Sequence, residues 1–335
     1  MIDFVPGTRQ YTNSEFTGGK RQLSWSRGAR FRANDWLRNW FADEGITRDT
    51  WCEHFVRLKR KTIPTQTSVT VRAAKVRRGG QTLYGRTLPL DLKDPKGAAI
   101  KERMDRLNAF LWEQTIEPYG PVFLRRIFAN GDQPGFCWKT GGRLTALGKD
   151  TFQTAKKEDR ASIRINGQKT VEIDIQSSHL TILAGLGVVP KDTLRGDPYA
   201  VEGIPREVVK HWVVMTLGHG KRHVRWKKET KEAFMAKHGI DLSREYPLKE
   251  TGDAILAKLP ILGTDGQAAP FDWGPLQYLE SEAMMKAMEV LAYDHQVASL
   301  PVHDSLIVPN EWKELATETL KGSFKETVGV EPLVH

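Results

Sequence analysis

The sequence predicts an α+β fold: an antiparallel sheet, a helical segment set between its two halves, and a smaller basic N-terminal part. Three observations carry this. Ser162-Ile163-Arg164-Ile165 runs into Asn166-Gly167, and Thr170-Val171-Glu172-Ile173-Asp174-Ile175 returns. Asn-Gly supplies the two positive φ angles of a tight hairpin. A second strand–turn–strand pattern, residues 298–309, bends at His303-Asp304. Apolar residues at helical spacing lie ahead of the first hairpin and between the two.

Of 335 residues, 39% are hydrophobic, and the mean hydropathy is −0.46. No apolar run reaches the ~20 residues of a membrane span. Met1-Ile2-Asp3-Phe4-Val5-Pro6 lacks the basic-then-apolar form of a signal peptide. Cys52 and Cys137 have no ligand spacing around them, which speaks against a disulfide framework and a zinc site. An intracellular (cytoplasmic) protein with no membrane partner is the expectation. Residues 1–95 hold 18 basic and 9 acidic side chains and so carry the whole net charge of +9; the remainder balances at 32 and 32. A basic segment joined to a neutral one suggests a polyanion-binding part on a catalytic or structural part.

Within residues 1–95, the Gly-, Arg- and Ser-rich stretch 7–30 reads as an extended or partly disordered arm. A helix is expected from Asn34-Asp35, burying Trp36, Leu37, Trp40 and Phe41, and a second from Thr47-Arg48-Asp49 with Trp51, Phe55 and Leu58 on one face. Ser68-Val69-Thr70-Val71-Arg72 and Gln81-Thr82-Leu83-Tyr84-Gly85-Arg86 bracket Gly79-Gly80, predicting a basic hairpin with Lys75, Arg77 and Arg78 near its tip.

Residues 96–335 read as one core. Residues 97–117 read as a helix through Ile100, Met104, Leu107, Leu111 and Trp112, stopped by Pro118. Thr140-Gly141-Gly142-Arg143-Leu144-Thr145 reads alone as a turn. On the return strand of the first hairpin Asp174 faces away from Val171, Ile173 and Ile175, and Ser177-Ser178 precede a helix start with a serine cap. Pro205 opens a helix through Leu217 on which Arg206 and Lys210 share a face. Two cations on one face grip a triphosphate well. Residues 238–272 read as loops with short helices, and Pro275 starts a helix that runs to about Asp294. Asp174 and Asp304, each at a hairpin end, suit two divalent cations ~3.5–4 Å apart, the arrangement that clamps the attacking and leaving oxygens of phosphoryl transfer. Mg²⁺ needs only one or two protein carboxylates beside substrate phosphates.

Asp174 followed by Ser177-Ser178-His179, with Val302-His303-Asp304-Ser305, resembles motifs A and C of the family A DNA polymerases and phage-type single-subunit RNA polymerases. Thr140-Gly141-Gly142-Arg143-Leu144-Thr145 is similar to the segment that precedes motif A. Residues 206–220 resemble motif B, and the helix from Pro275 resembles the one before motif C. The resemblance implies a polymerase-like palm (140–190 and 273–335), a fingers-like segment (191–272) and a thumb-like helix region (96–139). By the same resemblance Asp174 and Asp304 are catalytic and hold Mg²⁺, with Mn²⁺ as the alternative. Arg206, Lys210, His211, His179 and His219 bind the nucleoside triphosphate; Arg143, Gln277 and His303 touch primer or template. Aligning motif B on Arg206 puts Lys210 at the family's lysine, whereas aligning it on Met215-Thr216-Leu217 puts His211 there. His179 stands where the DNA polymerases carry a Glu that blocks the ribose 2′-hydroxyl. The implied function is a template-directed nucleotidyltransferase of RNA polymerase or primase type. The alternatives are a family-A-like DNA polymerase without proofreading, a metal-dependent nuclease, and a non-catalytic nucleic-acid-binding protein.

Overall fold

A long helix that is apolar around most of its circumference has to be enclosed by other elements. Residues Trp273–Asp294 form such a helix, burying Leu276, Ala283, Met284, Met285, Met288 and Leu291. The computed structural model describes residues 2–5, 8–13, 21–27, 30–47, 49–54, 67–78, 81–83, 85–220, 222–263 and 273–335. The chain divides into two compact units, Met1–Arg60 and Lys61–His335. The boundary expected after residue 95 therefore falls inside the second unit.

In the first unit, β1 (Ile2–Val5), β2 (Thr8–Asn13), β3 (Arg21–Arg27) and β4 (Arg30–Ala33) make two antiparallel ladders, β1 with β4 and β2 with β3. Much of the expected arm is thus strand-paired. Helix α1 (Asp35–Asp43) begins where expected: the Asn34 side chain accepts a bond from the Leu37 N–H at 3.0 Å. The burial expected of it does not hold. Trp36 and Trp40, four apart on one face, are 59% and 44% exposed, and Leu37 and Phe41 are only half-buried. A short α2 (Trp51–His54) follows; Phe55, Leu58 and the basic run after them lie outside the described residues.

The second unit opens with β5 (Val69–Arg72), β6 (Val76–Arg78), β7 (Gln81–Leu83) and β8 (Thr87–Leu88). The expected hairpin is formed by β6 and β7, around turn residues outside the described set. Its expected first arm, β5, instead enters a four-stranded sheet. Next come α3 (Pro95–Trp112), β9 (Ile116–Glu117), β10 (Leu124–Phe128) and β11 (Gly141–Ala146). That sheet has the order β11-β10-β5-β8, parallel only between β10 and β5. The segment around Gly141-Gly142-Arg143 is thus a strand rather than a turn. Helix α3 stops at Trp112, short of the expected Glu117, because Ile116–Glu117 pairs with a later strand. Asn108 on α3 exchanges two hydrogen bonds with the Leu124 backbone, at 2.7 and 2.8 Å, and so locks α3 to the sheet.

Then follow α4 (Lys157–Arg160), β12 (Arg164–Ile165), β13 (Gln168–Asp174), α5 (Ser178–Gly185), α6 (Arg206–His219), α7 (Lys228–His238) and α8 (Leu248–Lys258). Within the stretch 238–272, expected as loops with short helices, α8 is an 11-residue helix that buries Leu248 and Ile255, and residues 264–272 lie outside the described residues. The chain closes with α9 (Trp273–Asp294), β14 (Leu300–Val302), β15 (Ser305–Pro309) and α10 (Lys313–Val328). The Asn166-Gly167 turn has φ of 52° and 79°, both positive as predicted. An antiparallel sheet, β14-β15-β13-β12-β9, joins both sequence hairpins. Helix α9 packs against β11, α5 and α10. Buried Arg126 on β10 donates to the Gly142 carbonyl, Ser281 and Glu282, and Glu282 also binds Arg103 of α3. Among the described residues no helix is long and apolar enough to cross a membrane.

Candidate active site

The pairing of β13 with β15 brings the two aspartates together. Asp174 lies opposite Ser305, and the Ile175 N–H donates to the Asp304 carbonyl at 3.2 Å. His303 takes φ of 57° to make the bend. Asp174 and His335 exchange backbone bonds, both at 3.0 Å, so the segment around Val334 covers the free edge beside Asp174. Ser177 sits at the start of α5 but makes no side-chain cap, contrary to expectation. Its left-handed backbone, φ 56°, turns the strand into the helix. Ser178, now buried, donates instead to Glu280 Oε2 at 3.0 Å.

A cleft of about 480 Å³ opens over this junction. It is lined by Asp174, Asp304, Arg143, His179, His303, Arg206 and Lys210, together with Tyr199, Glu280 and His335. Seven of the ten residues singled out in the sequence therefore meet in one place. The other three do not reach it. His211 packs on Trp226 and Phe234, with ring centroids at 5.9 and 5.3 Å, and lines an adjoining cavity beside α7 that Arg206 and Lys210 also border. Successive helical residues point about 100° apart, so when Lys210 faces the carboxylates His211 cannot. His219 bonds the Met215 carbonyl at 2.9 Å and packs on His223. Gln277 lines a neighbouring groove with Lys75, Trp273 and Arg143, and Arg143 is shared by both.

The two cations of α6 differ. Arg206 is held by Asp197 at 2.7 Å and lies over the Tyr199 ring. Lys210 has no ion-pair partner among the described residues, and its charge acts on Asp174. Neither Asp174 nor Asp304 forms an ion pair among the described residues. Burial, then Glu280, then Asp174 push the Asp304 carboxyl up to about 6. Burial raises Asp174 too, against the pull of Lys210. Partial burial and the Arg143 charge lower His303. Among the described residues no three metal-ligating side chains cluster. The donor set is instead two unpaired carboxylates at one sheet end, each costly to ionise there without a cation. That fits a hard divalent ion completed by water and phosphate oxygens.

Glu280 was not anticipated from the sequence. It is 2% exposed, yet its carboxyl lies at about 2. Burial alone would raise it; the contact with His179 and the Arg143 guanidinium outweigh that cost. Arg143 donates to Oε1 through Nη2 at 2.6 Å and Nε at 3.1 Å, and His179 Nε2 stands 3.3 Å from Oε2. The available signal was a carboxylate at position 280, one turn from Leu276 and Met284 on the same helix face.

No family model and no curated protein matches this sequence. Among solved structures the chain is similar to the POL domain of Pol1 from M. smegmatis, in complex with DNA primer-template and dNTP, at 13% identity and a TM-score of 0.37. The match covers 73% of this chain and 51% of that one, so this chain spans about half of the length of the matched structure. A likeness of this size assigns no family.

Proposed function

We propose that this protein is a template-directed nucleotidyltransferase using two divalent metal ions, of compact RNA polymerase or primase type. One observation carries the reading: Asp174 and Asp304 converge on a cleft whose wall also presents Lys210 and Arg206. Carboxylates that form no ion pair among the described residues call for metal, and a lysine facing them calls for phosphate. Asp174 and Asp304 would hold Mg²⁺ or Mn²⁺, which when bound stabilises charge on the attacking 3′-hydroxyl and the pyrophosphate leaving group. Lys210 grips the triphosphate as a point charge, and Arg206 adds to it if released from Asp197. Arg143 stands at the junction of the cleft and the groove of Lys75, Trp273 and Gln277, where a primer end would pass from one to the other. Because Glu280 clamps its guanidinium from below, Arg143 is pre-organised for that contact. The basic N-terminal residues add phosphate contacts.

The test is extension of primed and unprimed templates with ribo- and deoxynucleotides, in Mg²⁺ and then Mn²⁺. Labelled nucleic acid incubated without nucleotides runs in parallel. Incorporation is expected, and Asp174→Ala should abolish it. Degradation without incorporation would make the chain a nuclease; binding with neither would make it a non-catalytic nucleic-acid binder.

A further inference from the structure

Alternation along β10 puts Leu124, Arg126 and Phe128 on its buried face, so an arginine stands where the strand pattern calls for an apolar side chain. Arg126 is 1% exposed, and a charge at that depth is costly unless it is paired and hydrogen-bonded. Its Nε donates to the Gly142 carbonyl at 2.6 Å, Nη2 to Ser281 at 2.8 Å and Nη1 to Glu282 at 2.5 Å. The carbonyl it takes belongs to a β-bulge. Arg126 pairs with Leu144 and Phe128 with Gly141, so Gly142 and Arg143 together oppose Ile127 alone. Gly142 has φ of 77°, and a Cβ there would come within 2.7 Å of the Phe128 ring and 2.9 Å of Arg126 Nη2. Only glycine fits this bend without strain. A bulge re-aims the side chain it carries. Here that side chain is Arg143, which borders both the cleft and the groove.

We propose that Arg126 is a positioning residue for the grip on nucleic acid: by holding the Gly142 carbonyl it fixes the bulge, and the bulge sets where Arg143 is presented. This rests on the nucleotidyltransferase reading. Three successive residues of α9 divide the task. Glu280 holds the Arg143 guanidinium, while Ser281 and Glu282 hold Arg126. Buried as it is, Arg126 touches no ligand, so its effect on binding acts through Gly142 and Arg143.

The experiment uses the full chain and makes two measurements. One is the Kd of a dideoxy-terminated primer–template by fluorescence anisotropy, where nothing turns over. The other is the nucleotide KM on an extendable primer. Arg126→Lys keeps a charge beside Glu282 but lacks the planar fork that reaches Gly142 and Ser281 together. It should raise the primer–template Kd about five- to tenfold and leave the nucleotide KM within about twofold. Gly142→Ala, which crowds Arg126 and Phe128, should do the same, and it serves if Arg126→Lys does not fold. In an Arg143→Ala background neither change should weaken binding further. Arg103→Gln breaks another pair to Glu282 without touching Gly142; it should lower the melting temperature and keep wild-type affinity. Wild-type affinity in Arg126→Lys or Gly142→Ala, parallel losses in primer–template and nucleotide binding, losses that add to Arg143→Ala, or an equal loss in Arg103→Gln would each overturn the proposal while sparing the nucleotidyltransferase reading. A wild type that binds primer–template but incorporates nothing would overturn that reading, and the affinities would still decide the proposal. One that does neither would overturn both.

Discussion

Asp174 stands directly opposite Ser305 in the β13–β15 ladder, so Asp304 is delivered to the same sheet end one residue earlier. Removing either carboxylate should lower nucleotide incorporation by at least about 100-fold without unfolding the protein. The Asp304 carboxyl also carries a stability signature. Its folded value, about 6, is above its unfolded 3.8, so it stabilises the fold below 3.8 and that contribution is lost as pH rises through about 6. Without divalent cations at pH 8, Asp304→Asn should melt above wild type, by the equivalent of about 1–3 kcal/mol. Thermal melts across pH 4–8 check this; a lower melting point at pH 8 contradicts it.

Lys210 and Arg206 sit one turn apart on α6, but only Lys210 is free of a carboxylate among the described residues. Lys210→Ala should raise the nucleotide KM by about 10- to 100-fold, the effect of a lost bond to a charged group. Arg206→Ala should change it about threefold or less, because an exposed arginine already held by Asp197 contributes little. Steady-state kinetics on both variants measure the difference, and the reverse order would shift the triphosphate toward Arg206.

Glu280 titrates in the opposite sense to Asp304. Its carboxyl is lowered from 4.5 to about 2, so the stability it adds is present above 4.5 and lost as pH falls toward 2. Wild type should therefore lose melting temperature more steeply than Glu280→Gln over that interval. Parallel acid limbs in the two proteins would show that the ion pair to Arg143 and the contact with His179 add no net stability.

If the N-terminal residues bind through phosphates, the logarithm of primer–template affinity should fall with the logarithm of salt concentration, by about 0.7–0.9 per phosphate neutralised. Deleting residues 1–60, a compact unit of its own, should flatten that slope. Fluorescence anisotropy across a salt series reads it directly. An unchanged slope would assign the phosphate contacts to residues 61–335.

Both hairpins, α1, most of α3, α6 and α9 were legible in the sequence because their signals are local. Asn166-Gly167 supplies positive φ by itself, Asn34 caps the next turn, and apolar spacing marks a helix face whatever it packs on. The same local logic put Asp174 and Asp304 at hairpin ends and Lys210 on the face of Arg206. What the sequence could not decide was which face meets which partner. Trp36 and Trp40 have the spacing of a buried stripe and lie exposed, because periodicity marks a face without saying whether anything covers it. Val69–Arg72 left its expected hairpin for β10 and β8, since strand pairing is settled by neighbours 15 and more residues away. His211 and Lys210 were equal candidates until the orientation of α6 was known. Glu280 read as one more helical glutamate; only the packing of α9 under β11 and α5 sets it beside Arg143, Ser178 and His179. A buried charge is tolerable only with partners, and those partners come from segments more than 100 residues away in the chain.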